Sequence, residues 1–144
     1  MSQIRDTHSE RLFPVLAPRQ VERLTTYGSR HPMKRGETLM EPGDHHPRCF
    51  VVVRGSLAIL RVAHDAETVV QVIRGGQFTG EANLITGRAA FVRIRAEEDG
   101  EVLVLDREQV LRVLQLENEI SQIVMRAFIL RRAELIARGY GDAV

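Results

Sequence analysis

The chain has 144 residues, 44% hydrophobic and 27% charged, the size and composition of one globular domain with its own core. Its 20 Lys plus Arg nearly balance 19 Asp plus Glu, so no overall basic field draws it to nucleic acid or a membrane, and recognition has to be local. No run approaches the roughly 18 apolar residues of a membrane span, and "MSQIRDTHSE" lacks the apolar segment of a secretory signal, so a cytoplasmic location with no membrane partner is expected.

Residues 1 to 15 are expected to be a flexible N-terminus, the first ten being polar, with one domain over 16 to 144. "LAPRQVERLTTYG" has a proline near its start, Val21 and Leu24 three apart and Gly28 at its end, which predicts a short helix. From about residue 36 to 105 the pattern changes to brief apolar runs cut by Gly, Pro and Asp. These are "ETLM", "CFVVV", "LAILRV", "TVVQVI", "FVRIRA" and "EVLVL", six strand candidates that predict an all-β unit, a small barrel or jelly roll. Cys49, the single cysteine, cannot form an internal disulfide or a four-thiolate cluster, and beside Phe50 to Val53 it reads as a buried structural thiol. In "FVRIRA" strict alternation puts Val92, Ile94 and Ala96 on a core face and Arg93 and Arg95 on a solvated one. After Leu105 the period becomes helical over about 106 to 138. Asp106 is the expected N-cap of "DREQVLRVLQLE", with Val110, Val113 and Leu114 on one stripe. A longer helix from Asn118 to Arg138 carries Ile120, Ile123, Val124, Ala127, Phe128, Leu130, Leu135 and Ile136, a face broad enough for its own barrel and a second surface, such as a homodimer. Gly139 and Gly141 are expected to stop it.

"GQFTGEANLITGRAAFVRIRA", residues 76 to 96, carries the chemistry. Gly80 before the turn "EANLI" lets the chain bend closely around a ligand, and free N–H groups at a helix start attract an anion. Glu81 would repel a phosphate but can accept hydrogen bonds from sugar hydroxyls. Read without their surroundings, the same two residues make only a tight turn with a solvated carboxylate.

"RGETLMEPGD" (35 to 44), "CFVVVRGSLAIL" (49 to 60) and the 76 to 96 stretch occur in the order and spacing of the cyclic nucleotide-binding domain family, which the chain resembles from about residue 15 to 138. The agreement rests on Gly36, Gly43 and Gly55 at strand turns, "GQFTGEANL" at the pocket opening and "EVLVLDREQV" leading into the exit helices. The resemblance implies an eight-stranded β-roll or jelly roll with flanking helices, holding a cyclic nucleotide such as cyclic AMP between the roll and the last helix. It also implies a ligand set of Phe78, Gly80, Glu81, Ala82, Asn83, Arg88, Ala89 and Ala90, with Glu81 on the ribose 2′-hydroxyl. Ungapped counting from either side puts the family's phosphate-binding arginine on Ala90; a loop two residues shorter restores Arg88. A guanidinium's two parallel hydrogen bonds to phosphate contribute about 1.5–3 kcal/mol each, so alanine there weakens binding. In extended chain Arg88 and Ala90 face one side about 7 Å apart, which a long side chain partly spans.

"IVMRAFILRRAELIARGYGDAV", residues 123 to 144, resembles the end of the cyclic nucleotide-binding-like domain that precedes thioredoxin reductase-like flavoproteins, which implies a regulatory piece with a flavoprotein partner domain after Val144. No GxGxxG or CxxC stands in this chain, so no catalytic residues or cofactor of its own are expected. A DNA-binding activator would need a helix-turn-helix after the long helix, so no DNA partner is expected. A cupin-like metalloenzyme is the rival from another class, but neighbours on a strand would point to opposite faces, no His-x-His with a following Glu and a later His is found, and His45 and His46 are expected in an exposed loop after "EPGD". The remaining alternative is a ligandless dimerisation scaffold on the same fold.

Overall fold

The computed structural model describes residues 11 to 137. Helix α1 (Pro18–Leu24) leads into β1 (Ser29–Met33), β2 (Thr38–Met40), β3 (Cys49–Arg54), β4 (Ser56–Ala63), β5 (Ala66–Arg74) and β6 (Phe78–Thr79). Helix α2 (Glu81–Thr86), β7 (Arg93–Ala96), β8 (Gly100–Leu105), α3 (Arg107–Leu116) and α4 (Asn118–Ala137) complete it. The eight strands form two antiparallel four-stranded sheets, β1-β8-β3-β6 and β2-β7-β4-β5, closed into a β-roll with helices at both ends. The polar residues 1 to 10 and the expected helix stop at Gly139 and Gly141 lie outside the described residues.

Two apolar cores lie on opposite faces of the first sheet. Phe50, Val52 and Val102 point into the roll against Leu57, Ile59, Ile73, Ile94 and Ala96 of the second sheet. Their neighbours Cys49, Val51, Leu103 and Leu105 point outward against Leu24, Val110, Val113, Ile120, Val124 and Ala127 of the helices. Strand β3 is therefore buried on both faces, which explains why "CFVVV" is a continuous apolar run.

The six strand candidates all form strands, and two more appear. Strand β1, "SRHPM", buries only Met33 fully, and β6 is two residues long. In β7 the alternation holds from Arg93 on, with Ile94 and Ala96 buried. Arg93 and Arg95 are not merely solvated: both bind Glu67 across β4 and β5, and Arg93 Nε also donates to Glu41 at 2.8 Å. The two guanidinium groups, Arg95 first, hold the Glu67 carboxyl down at about 2.

Asp106 caps α3 as expected. Its Oδ1 accepts from the Gln109 N–H and its own N–H donates to Gln109 Oε1, both at 2.8 Å. Arg23 and Tyr27 donate to Glu117, and Gln20 to Glu119, pinning the α1 region to the α3–α4 junction. That pinning fixes where α4 crosses the roll.

Candidate functional site

The site is built where β6 ends, α2 begins and α4 passes over both. Gly80 sits in the left-handed region at φ 94°, and a Cβ there would lie 2.3 Å from the Arg48 carbonyl oxygen. Only glycine allows this bend so close to the start of β3. The bend carries Glu81 inward, and its side chain is 1% exposed.

A buried carboxylate needs a partner, and here it is Arg131 of α4. Arg131 Nη1 donates to Glu81 Oε1 at 2.8 Å and Oε2 at 2.7 Å. The rest of the guanidinium is also used: Nη2 donates to the Phe78 carbonyl at 3.0 Å and Nε to the Leu12 carbonyl at 2.6 Å. The Phe13 and Phe78 rings lie 4.4 and 5.1 Å from its central carbon, within cation–π range. One side chain thus joins the N-terminal segment, the Gly80 bend and the last helix.

Sequence reasoning missed Arg131. The signal was present, because Arg131 follows Ile120, Val124 and Ala127 by 11, 7 and 4 residues, on the helix stripe whose other members are buried. A cation on a buried stripe asks for a buried anion.

The residues expected from sequence divide into three groups. Phe78, Gly80, Glu81 and Asn83 are buried together, with Ala82 half-buried beside them. Asn83 Nδ2 donates to the Ala89 carbonyl at 3.0 Å and the Gly87 N–H donates to the Asn83 carbonyl at 2.8 Å, folding the following loop back on α2. Ala90 is 4% exposed and belongs to the apolar core inside the roll. Its backbone exchanges hydrogen bonds with the 43–44 turn, the Gly43 N–H donating to Ala90 O at 2.7 Å and the Ala90 N–H to Asp44 O at 3.2 Å. Arg88 and Ala89 lie at the surface, and the Arg88 N–H donates to Thr86 Oγ1 at 3.3 Å.

Cys49 lies under this site. Burial, and then the Glu81 carboxylate, push its thiol well above the ordinary range, so it packs and does not react. His45 and His46 are exposed, and no cluster of three or more metal-ligating side chains occurs among the described residues.

The family model for the cyclic nucleotide-binding domain matches residues 30–117. Among solved structures, the chain is similar to the catabolite activator protein of Thermus thermophilus, with 25% identity and a TM-score of 0.65, covering 92% of this chain and 59% of that one. It also superposes on the cAMP-bound form of EAL enzyme Bd1971, with a TM-score of 0.61 and 21% identity over 77% of this chain and 29% of that one, a likeness of fold. Lysophospholipase NTE1 of Meyerozyma guilliermondii is 28% identical over 69 residues, 48% of this chain and 5% of that protein. The chain therefore spans only part of these relatives. No described helix is long and apolar enough to cross a membrane. With the family model covering most of the chain and the Gly80–Glu81 bend set into a two-sheet roll, the chain belongs to the cyclic nucleotide-binding domain family.

Proposed function

We propose that this chain is a regulatory module that binds a cyclic nucleotide at the Gly80–Glu81 bend and reports occupancy through α4. The buried Glu81–Arg131 pair is the observation that carries the reading. A carboxylate has about four acceptor sites. With two of them held by Arg131, Glu81 is oriented and can still accept a ribose 2′-hydroxyl.

Binding there changes the charge distribution felt by Arg131 and hence the position of α4. Only a difference in ligand affinity between two α4 positions can drive that change. Ala90 supplies no phosphate contact, so we assign the phosphate to Arg88, two residues earlier on the same loop. The assignment of a flavoprotein domain beyond Val144 rests on the residues 123 to 144, and mass spectrometry of the native protein with an antibody to this domain tests it. Ile129 and Ile136, 59% and 52% exposed and seven apart on α4, form the stripe we assign to a second copy of the chain.

Calorimetric titration with cyclic AMP and cyclic GMP tests the ligand reading. Saturable binding by one of them, weakened at least tenfold in Glu81→Ala and in Arg88→Gln, is expected. Binding unaffected by both substitutions would refute the site.

A further inference from the structure

A cleft of about 540 Å³ lies between the 45–48 loop, α2 and the start of α3, and Glu81 is not among the residues that line it. That volume falls within the range of small-molecule sites. The cleft gathers His45, His46, Arg48 and Arg107. The guanidinium groups of Arg48 and Arg107 make no hydrogen bond or ion pair with any described residue.

Arg107 occupies the first position of α3, where the helix dipole disfavours a cation. Its Nη1 reaches the C-terminal end of α2, to 3.5 Å from where Gly87 would carry a Cβ. Of the two acids on the cleft wall, Asp106 is committed to the Gln109 N–H. Glu108 is left as an acceptor suited to hydroxyl groups. Leu84 and Leu111 supply an apolar wall.

We infer that this cleft binds a small phosphomonoester that also carries hydroxyl groups. Arg48 and Arg107 take the phosphate by charge-assisted hydrogen bonds, the two imidazoles add N–H donors, and Glu108 receives a hydroxyl. The site uses neither Glu81 nor Arg88, so it stands or falls separately from the cyclic nucleotide reading.

The probe is ribose 5-phosphate, titrated into the uniformly ¹⁵N-labelled chain while the amides of Arg48, Gly87 and Arg107 are followed by NMR. Saturable shifts at those amides are expected, with affinity at least tenfold lower in the Arg48→Gln/Arg107→Gln double variant. Both arginines are exposed, and unchanged spectra elsewhere check that the variant folds. Non-saturating shifts, the same shifts from ribose or from sodium chloride at matched ionic strength, or undiminished binding in the double variant would overturn the inference.

Discussion

Arg131 and Glu81 would each be costly to bury alone, and that cost sets what their loss does. Truncating one partner of a buried pair leaves an uncompensated charge and destabilises by about 3–5 kcal/mol. Arg131→Ala should therefore lower the urea midpoint strongly, and adding Glu81→Gln should recover part of the loss. A loss below about 1 kcal/mol, the size of an exposed pair, would mean that the carboxylate is not held as described. At Gly80 the prediction concerns backbone. Gly80→Ala places a Cβ against the Arg48 carbonyl at a left-handed φ, a strain of about 1–3 kcal/mol, and chemical denaturation measures it. At this scale the sequence showed half of the site. Gly80 and Glu81 were legible because a glycine before a short helical turn restricts the chain's path. Arg131 was not, because a charge is ordinarily assigned to the wet face of a helix and its partner lies 50 residues away.

Among the elements, the second sheet carries a charged cluster that titrates. Glu67 sits between Arg93 and Arg95 with its folded pKa held at about 2, below the roughly 4.3 of an unfolded glutamate. A lowered folded pKa gives stability that is present above the unfolded value and is lost as pH falls through the folded one. Wild type should thus exceed Glu67→Gln in thermal midpoint above about pH 4.5, and the two should converge as the pH falls toward 2. A gap independent of pH would locate the effect in packing. The strands were legible wherever alternation or continuous apolarity recorded what they face. Strand β1 was not, since Arg30, His31 and Pro32 around its paired backbone leave Met33 as its single fully buried residue. Helix α4 showed its apolar breadth in sequence, and the structure divides that breadth into Ile120, Val124 and Ala127 on the core and Ile129 and Ile136 outside. Sedimentation velocity should show a dimer that Ile129→Glu dissociates. A monomer at all concentrations would remove that assignment.

For the whole molecule, the first sheet separates a core inside the roll from a core under the helices, and the Glu81–Arg131 pair lies at the edge of the second. A ligand at the Gly80 bend is therefore linked to α4 through one buried ion pair and the packing of Phe78 against both. The roll itself was legible from apolar runs, glycine spacing and family resemblance together. The position of α4 over the bend was not, because it depends on contacts such as Arg23 and Tyr27 with Glu117, which link distant parts of the chain. Hydrogen exchange with and without saturating cyclic AMP or cyclic GMP reads the coupling between the Gly80 bend and α4. One of these nucleotides should change exchange together in residues 78 to 91 and in the segment of α4 around Arg131, and Glu81→Ala should abolish both changes. Exchange that responds to neither nucleotide, or a change confined to the loop while α4 stays the same, would contradict it.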